Sequence, residues 1–301
     1  MAATNTPATN TTALLLDAAA RGLEVHDLGR TLTVGMPQSP NHPAYWHAMP
    51  RRHGDMVRPD GGSAANDMIS MGTHVGTHVD ALAHVSQDGK LHGGTDAEAA
   101  QVGGKFVDHG AHTIAPMVRR GVLLDVPGAL GVGRLEPGEE ITVAALERTL
   151  AEQDTEIREG DVVLVRTGWG QHFDNGDGDT YRGLSTGVPG VSAPGATFLA
   201  DFGIHATGAD TIAYEQLKPG AGHGLLPAHR VLLVERGIYI IEAMDLEGLA
   251  AAGVHEFLFV MSPLKFFGAT GSRSARWRWS EHERLVPRRR CPARGQPDVH
   301  T

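Results

Sequence analysis

The chain has few cysteines, few aromatic residues and no long apolar run. Cys291 is the only cysteine among 301 residues, which excludes a disulfide framework and a four-cysteine zinc site. No stretch of 18 apolar residues occurs, so we expect no transmembrane helix and no membrane partner. Hydrophobic residues make up 41% and charged residues 20%, a balance that excludes a mainly disordered chain, a coiled coil and a collagen-like fibre. The composition predicts a globular protein.

The negative charge is distributed unevenly along the chain. The net charge is −9, yet residues 273–301 contain eight arginines and three acidic residues, so the first 272 residues carry −14. An acidic body argues against general nucleic-acid binding, which needs a basic surface. The basic tail could be a nucleic-acid arm, but its Arg- and Pro-rich composition is also typical of a shifted reading frame. We expect no nucleic-acid partner and interpret residues 273–301 as a divergent, disordered tail.

The first residues of the chain are polar and rich in threonine and asparagine. They lack the basic region and the apolar stretch of a secretory signal, so a cytoplasmic protein is expected. Thr12 can cap a short helix that runs through Ala20 and ends at Gly22. We therefore predict a flexible segment with a short helix at residues 1–22, and one folded domain at residues 23–272.

Strand and helix patterns alternate through this domain. Short apolar runs predict four strands, at residues 121–126, 161–166, 237–241 and 255–261. Apolar spacing and capping residues predict three helical segments, at residues 142–153, 192–202 and 229–234. The Gly/Asp-rich stretch at 174–180 is predicted to be a surface loop. The pattern predicts an α/β fold with more strand than a doubly wound sheet needs.

The unusual feature of the composition is 17 histidines. His74, His78, Asp80 and His84 lie within eleven residues, and their glycine and β-branched neighbours favour a strand over a helix. In a strand, residues 74, 76, 78 and 80 share one face, and Gly76 would leave room for an ion. Two imidazoles and a carboxylate suit Zn²⁺ or Mn²⁺ and leave positions open for water. His84 follows closely enough to act as an acid or base without being a ligand.

The same segment carries a family resemblance. His74-Val-Gly-Thr-His78-Val-Asp80-Ala-Leu82-Ala-His84 resembles the pattern His-x-Gly-Thr-His-x-Asp-x-Pro-x-His of the cyclase-type metal hydrolases, with leucine in place of proline. This family includes bacterial kynurenine formamidases and isatin hydrolases. Later stretches that begin at Pro227 and at Ser262 are also similar to the family. The resemblance covers about residues 26–272 and implies a swivelling β/β/α domain that assembles as a homodimer or homotetramer.

The resemblance also implies roles for individual residues. The primary metal ligands would be the three motif residues His74, His78 and Asp80. His84 matches the catalytic histidine. His229 and Glu242 match in kind the residues that hold a second ion in the formamidase branch, although their spacing is about one residue longer. Gln216 is the nearest candidate for the glutamine that completes a single manganese site in the isatin-hydrolysing branch.

The expected function is metal-dependent hydrolysis of a small, aromatic amide or lactam, similar to an isatin hydrolase or an arylformamidase. The expected cofactor is one or two Mn²⁺ or Zn²⁺ ions per subunit. Tyr45 and Trp46 could stack on an aryl substrate, or they could equally be core or interface residues. Two alternatives stay open: a polyketide-type cyclase or dehydratase, and a non-catalytic metal-binding protein on the same fold. His84 argues against the last, because metal storage needs no acid or base.

Overall fold

The computed structural model describes residues 20, 22, 24–174 and 176–280. The chain divides into a small unit, residues 1–24 and 281–301, and a large unit, residues 25–280. The small unit and the predicted N-terminal helix lie almost entirely outside the described residues. None of the helices in the described ranges is long and apolar enough to cross a membrane.

The elements alternate along the chain as an α/β protein requires. The strands are β1 (Glu24–Asp27), β2 (Trp46–Arg51), β3 (Asn66–Ser70), β4 (His78–Asp80), β5 (Gln101–Val102), β6 (Lys105–Phe106), β7 (Met117–Asp125), β8 (Glu140–Ile141), β9 (Val162–Arg166), β10 (Gly190–Val191), β11 (Ala206–Ala209), β12 (Tyr239–Glu242), β13 (Glu256–Pro263), β14 (Gly271–Ser272) and β15 (Ser274–Ser280). The α-helices are α1 (Val126–Leu130), α2 (Val143–Glu152), α3 (Gln171–Asp174), α4 (Gly178–Arg182), α5 (Ala193–Asp201), α6 (Pro227–His229) and α7 (Glu247–Ala251). A π-helix (Arg230–Arg236) continues α6, and two short 3-10 turns are formed by His92–Gly94 and Ala111–Thr113.

One mixed sheet organises the large unit. Its nine strands run in the order β1-β15-β13-β7-β9-β11-β12-β4-β14. The four central strands β7, β9, β11 and β12 are parallel, whereas β13 and β4 pair antiparallel with the outer two of them. Three two-stranded pairs, β2–β3, β5–β6 and β8–β10, lie outside this sheet. The predicted α/β class is confirmed, and the predicted strands correspond to β7, β9, β12 and β13.

The core lies on both faces of the central strands. Val163 and Val165 of β9 belong to one buried apolar cluster, and Val162 and Leu164 belong to another. Because successive side chains of a strand point to opposite faces, this alternation covers β9 with apolar packing on both sides. That environment explains why the strand reads as a continuous apolar run.

Local signals begin the two longest α-helices where the sequence predicts them. The side chain of Thr142 accepts a hydrogen bond from the N–H of Ala145 at the start of α2. Ser192 does the same for the N–H of Gly195 at the start of α5, with Pro194 in the first turn. Such caps satisfy N–H groups that have no partner within the helix.

Two local predictions need correction. Strand β4 covers only residues 78–80, and the residues before it form a turn, because Gly76 adopts a left-handed φ of 63° that ends extended pairing. The predicted loop at 174–180 runs into helix α4 from Gly178 onward. Its first turn is stabilised by Asp177, whose side chain accepts a hydrogen bond from the N–H of Thr180.

Residues 274–280 of the basic tail belong to the main sheet, and the predicted disorder of the tail stays a prediction. These residues form β15 and pair antiparallel with β13, from Ser274 opposite Pro263 to Trp279 opposite Leu258. The physical reason is that β13 offers a row of main-chain hydrogen-bonding groups that a following strand can satisfy. Residues 281–301 lie outside the described part of the chain, so their disorder stays a prediction.

Candidate metal centre

Strand pairing brings the site together at one edge of the sheet. Glu242 ends the parallel strand β12 and lies opposite His78, which begins the antiparallel strand β4. Residues opposite each other in an antiparallel pair share a face, and Asp80, two residues after His78, shares it too. Ligands of α/β proteins commonly bind at this carboxyl edge of the parallel strands.

The three motif residues form a compact buried group. The side chain of Asp80 is completely buried, and its Oδ1 lies 2.7 Å from Nδ1 of His74 and 3.3 Å from Nε2 of His78. One potential ligand atom from each residue lies within 4.8 Å of the others. The structure therefore brings together the residues that the sequence predicts as primary metal ligands.

A second ligand group adjoins the first and shares Asp80. Nε2 of His229 lies 3.1 Å from Oε1 of Glu242 and 3.6 Å from Oδ2 of Asp80. The other Glu242 oxygen, Oε2, lies 3.4 Å from Nε2 of His78. Ligand atoms of Asp80, His84 and His229 also lie within 4.8 Å of one another. The Asp80 carboxylate therefore stands between two groups of nitrogen and oxygen donors.

Unpaired polar atoms converge at this point. Nε2 of His78, Oδ2 of Asp80 and Oε1 of Glu242 are buried and have no hydrogen-bond partner among the described residues. Burying such atoms without a partner is costly, and a cation among them would remove that cost. Imidazole nitrogens and carboxylate oxygens are the donors that Zn²⁺ and Mn²⁺ accept. The residues present thus fit a divalent ion.

Neighbouring groups orient the ligand side chains. Nε2 of His74 is 2.8 Å from the hydroxyl of Thr270, which leaves Nδ1 facing Asp80. Nδ1 of His78 is 2.8 Å from the carbonyl oxygen of Gly76, to which it can donate, and this leaves Nε2 facing the two carboxylates. Hydrogen bonds of this kind fix the tautomer and ring orientation of a metal-binding histidine.

Two glycines allow the close packing around the motif. A Cβ on Gly76 would lie 2.9 Å from Leu32 and 3.0 Å from Arg273. Gly76 is therefore explained by its left-handed backbone and its packing, and not by space for an ion as the strand interpretation suggests. A Cβ on Gly271 would lie 2.7 Å from the imidazole of His74, so glycine is needed where β14 passes that ring.

His84 lies against the first ligand group. Its ring centroid is 3.9 Å from that of His74, with the planes 26° apart, and 6.2 Å from that of His229. Burial lowers the pKa of His84 to about 3; the Asp80 carboxylate opposes this shift and His74 adds to it. His84 is therefore a neutral imidazole at neutral pH, the form that can accept a proton.

The charges of the cluster support each other. Burial alone would raise the pKa of Asp80, but His84 and His74 hold it well below its usual range, so this carboxyl is ionised. Burial alone would lower the pKa of His229, but the hydrogen bond with Glu215 and the negative charges of Glu242 and Glu215 raise it to about 10. The cluster therefore combines the ionised carboxylate of Asp80 with the protonated imidazole of His229.

Glu215 contacts the site, whereas the sequence analysis predicted that the next residue, Gln216, would be a metal ligand. Oε1 of Glu215 lies 2.7 Å from Nδ1 of His229. Gln216, predicted as a possible ligand, instead donates from Nε2 to the carbonyl oxygen of Gly138 at 2.7 Å. The structure therefore does not bring Gln216 to the cluster. The adjacent Glu-Gln pair gave no sequence signal as to which side chain faces the metal centre.

Two further histidines flank the site. The ring of His42 stacks on His74 with centroids 5.1 Å apart, and burial lowers the pKa of His42 to about 4. Burial also lowers the pKa of His223, and the nearby Glu242 opposes that shift. The sequence analysis predicts no role for His42, which lies three residues before Tyr45.

Tyr45 and Trp46, the two predicted substrate-binding residues, differ in their surroundings. Tyr45 is half-buried and packs against the apolar cluster that contains Val75, the residue after His74. Trp46 begins β2 with 47% of its surface exposed. A substrate-binding role for either residue stays a prediction.

Comparisons with known proteins identify one matching family profile and several similar structures. The sequence profile of a family described as "Putative cyclase" matches residues 26–216. A crystal structure described as a novel cyclase aligns with a TM-score of 0.77 and 27% identity, covering 91% of this chain and 92% of that chain. Isatin hydrolase A from Ralstonia solanacearum aligns with a TM-score of 0.69 and 22% identity, covering 93% and 100%.

A third structure, described as a potential metal-dependent hydrolase with cyclase activity, aligns with a TM-score of 0.55 and 20% identity, covering 86% and 100%. The comparison with curated proteins finds no match. The structural matches confirm the predicted cyclase-type fold.

Proposed function

Since this chain belongs to the cyclase family, we propose that it is a metal-dependent hydrolase that cleaves the C–N bond of a small amide or lactam. The observation that carries the proposal is the convergence of buried, unpaired ligand atoms from His78, Asp80 and Glu242 beside the neutral His84. The fold shared with an isatin hydrolase supports the proposal but, at 22% identity, does not fix the substrate.

Two groups of residues would hold the metal. His74, His78 and Asp80 would bind one ion. Asp80 with His229 and Glu242 would bind a second, since carboxylate oxygens of Asp80 and Glu242 lie 3.6 and 3.1 Å from Nε2 of His229. When bound, Mn²⁺ or Zn²⁺ lowers the pKa of a water molecule and polarises the substrate carbonyl. Asp80 would orient both groups, because its two oxygens face them separately.

His84 would move the proton. The attacking water gives one proton to a ring nitrogen of His84 as its oxygen bonds to the carbonyl carbon. His84 then passes this proton to the leaving nitrogen as the C–N bond breaks. The products are an amine and a carboxylic acid. His84 stacks on His74 and therefore lies beside the residues that would hold the metal. This stacking leaves in place the two hydrogen bonds of His74, which join it to Asp80 and to Thr270.

The substrate side would be formed by the loop before the motif. His42 lies over His74, and Tyr45 follows three residues later. An imidazole and a phenol offer flat surfaces for an aryl ring. We therefore propose an aromatic substrate, similar to that of an isatin hydrolase or an arylformamidase.

The decisive experiment combines metal analysis with a substrate panel. The purified protein is analysed for bound metals, then assayed with isatin, N-formylkynurenine and related amides after Mn²⁺ or Zn²⁺ is restored. We expect at least one of them to be hydrolysed, in a metal-dependent way. Hydrolysis of none would contradict the proposal and favour the cyclase or dehydratase alternative.

The role of His84 has its own test. His84→Ala should keep the metal content of the parent and lose at least about 100-fold in kcat, because it removes the proton acceptor. His53→Ala is the matched control, since His53 is exposed and its Nδ1 lies 2.9 Å from the side chain of Ser63. Loss of a metal equivalent in His84→Ala would instead identify His84 as a ligand, which the Asp80–His84–His229 group also allows.

A further inference from the structure

Glu215 is a buried carboxylate with three hydrogen-bond contacts and only 2% of its surface exposed. Its Oε1 accepts hydrogen bonds from the main-chain N–H of His229 at 2.9 Å and from Nδ1 of the same residue at 2.7 Å. Its Oε2 accepts one from the N–H of Ala228 at 3.0 Å. Both carboxylate oxygens are thus directed at α6, whose last residue is His229.

We propose that Glu215 is a positioning residue that fixes the imidazole of His229 for metal binding; this rests on the metal centre proposed above. Because Glu215 holds the Nδ1 proton, Nε2 of His229 faces Glu242 at 3.1 Å and Asp80 at 3.6 Å, and Nε2 is the nitrogen that gives up its proton when a metal binds. A metal needs the free lone pair of that nitrogen, and the partner at the other ring nitrogen decides which one is free.

The contact with the ring separates this role from simple helix capping. The N–H groups of Ala228 and His229 belong to the first turn of α6 and need acceptors of some kind. Those two bonds involve only the backbone and do not act on the imidazole. The third bond, from Nδ1, connects the imidazole to the same carboxylate that the two backbone N–H groups bind. The position of the backbone therefore determines the orientation of the ring.

The loop that carries Glu215 is itself held rigidly. The preceding residue, Tyr214, has a left-handed φ of 55°, and its hydroxyl lies 3.0 Å from the hydroxyl of Thr207 in β11. A Cβ on Gly190 would lie 2.3 Å from the carbonyl carbon of Glu215, so the backbone of β10 packs directly on this residue. A rigid support is what a residue needs if it is to orient another group.

The test measures metal affinity without substrate. Glu215→Gln keeps the size of the side chain but places an amide donor against N–H donors. We expect Mn²⁺ or Zn²⁺ to bind about 10- to 100-fold more weakly at the group that contains His229, as measured by competition with a chelator. Glu235→Gln is the matched control. Glu235 lies in the π-helix that follows His229, is partly exposed and pairs only with Arg230 among the contacts described.

A double-mutant cycle separates positioning from general destabilisation. In a His229→Ala background, Glu215→Gln should change metal affinity by less than about twofold, because the ring that it orients is gone. A loss of the same size in both backgrounds would overturn the proposal, as would unchanged metal affinity in Glu215→Gln alone.

Failure of this inference and failure of the proposed function remain distinguishable. The chelator competition uses the metal alone and needs no turnover. A parent protein that hydrolyses no amide, but loses metal affinity in Glu215→Gln only when His229 is present, would retain the positioning role of Glu215 while the hydrolase proposal fails. Normal hydrolysis by the parent with unchanged metal binding in Glu215→Gln would support the hydrolase proposal and contradict the positioning role of Glu215.

Discussion

Asp80 is the residue on which both ligand groups depend. Its Oδ1 faces His74 and its Oδ2 faces His229, while its side chain is completely buried. Replacing it by asparagine removes the negative charge and turns one acceptor into a donor. A buried donor set that has lost its central carboxylate loses most of its attraction for a cation.

We therefore predict that Asp80→Asn binds less than a tenth of the metal of the parent at equal free metal concentration, as measured by elemental analysis after dialysis. Asp67→Asn is the control, because Asp67 is exposed and lies 3.0 Å from His47. Equal metal content in Asp80→Asn and the parent would show that the ion does not lie at this carboxylate.

Thr77 joins the motif to the strand that carries Glu242. Its hydroxyl donates to the carbonyl oxygen of Ala243 at 2.6 Å and accepts from the N–H of Arg30 at 2.9 Å. Ala243 has a left-handed φ of 51°, a conformation that is unfavourable for alanine and needs support from its surroundings.

Thr77→Val keeps the shape of the side chain but leaves two buried polar groups without a partner. We predict a loss of about 1–3 kcal/mol in the free energy of unfolding, measured by urea denaturation of the metal-free protein. Thr197→Val is the matched control, because among the described residues the Thr197 hydroxyl bonds only the carbonyl of Ala193 in its own helix. A loss no larger than that of the control would contradict the role of the Thr77 hydroxyl.

At the residue scale, the sequence predicts the parts of the site that are close together in the chain. His74, His78, Asp80 and His84 lie in one segment, and their residue types and spacing sufficed. Glu215 and His42 reach the cluster from distant segments, and a single sequence has no local pattern for such contacts. Gln216 shows the limit of prediction from one sequence. Glu215 contacts His229, whereas Gln216, one residue later, contacts Gly138.

Strand β14 passes the imidazole of His74 so closely that it requires a glycine. Gly271 lies opposite Asp80 in the β14–β4 pair, and a Cβ there would lie 2.7 Å from the His74 ring. The neighbouring Thr270 hydroxyl contacts the same ring at 2.8 Å. The element therefore shapes the site through its backbone as much as through side chains.

We predict that Gly271→Ala displaces the His74 ring and weakens metal binding about 10-fold or more, measured by chelator competition. Gly133→Ala is the control, because a Cβ at Gly133 meets no atom within 4 Å and its backbone has no left-handed φ. Parent-like affinity in Gly271→Ala would mean that the His74 ring can move without cost to the ion.

At the element scale, local signals were sufficient for some elements only. The caps Thr142 and Ser192 act within three residues, so helices α2 and α5 are predicted correctly. The strand predicted from His74 is shorter than expected, because a single left-handed glycine outweighs the β-branched residues around it. Strand β15 depends on pairing with β13, a contact that no window of its own sequence reveals.

For the whole molecule, the homodimer or homotetramer and the cytoplasmic location implied by the sequence stay predictions. Light scattering after size-exclusion chromatography would measure a mass of two or four times 31.9 kDa if the assembly forms. A mass of a single chain at micromolar concentration would contradict it.

The folded domain extends beyond the end of the family resemblance. The family resemblance stops at Ser272, yet the sheet continues through β15, which pairs with β13 at six positions. Arg273, the first residue beyond the resemblance, donates from its guanidinium to the carbonyl oxygen of Val75, next to His74. The beginning of the basic tail therefore supports both the sheet and the turn that contains His74, a candidate metal ligand.

A chain that ends at Ser272 should accordingly be less stable than one that ends at Ser280. Each ladder hydrogen bond contributes about 0.5–1.5 kcal/mol, so losing β15 should cost roughly 3 kcal/mol or more. For a domain of this size, that lowers the melting temperature by at least about 5 °C. Calorimetry measures the difference in melting temperature between the two truncations. Both lack residues 281–301, so the difference reports on residues 273–280 alone. Identical melting temperatures would show that β15 adds no stability and that the domain ends at Ser272, as the resemblance alone implies.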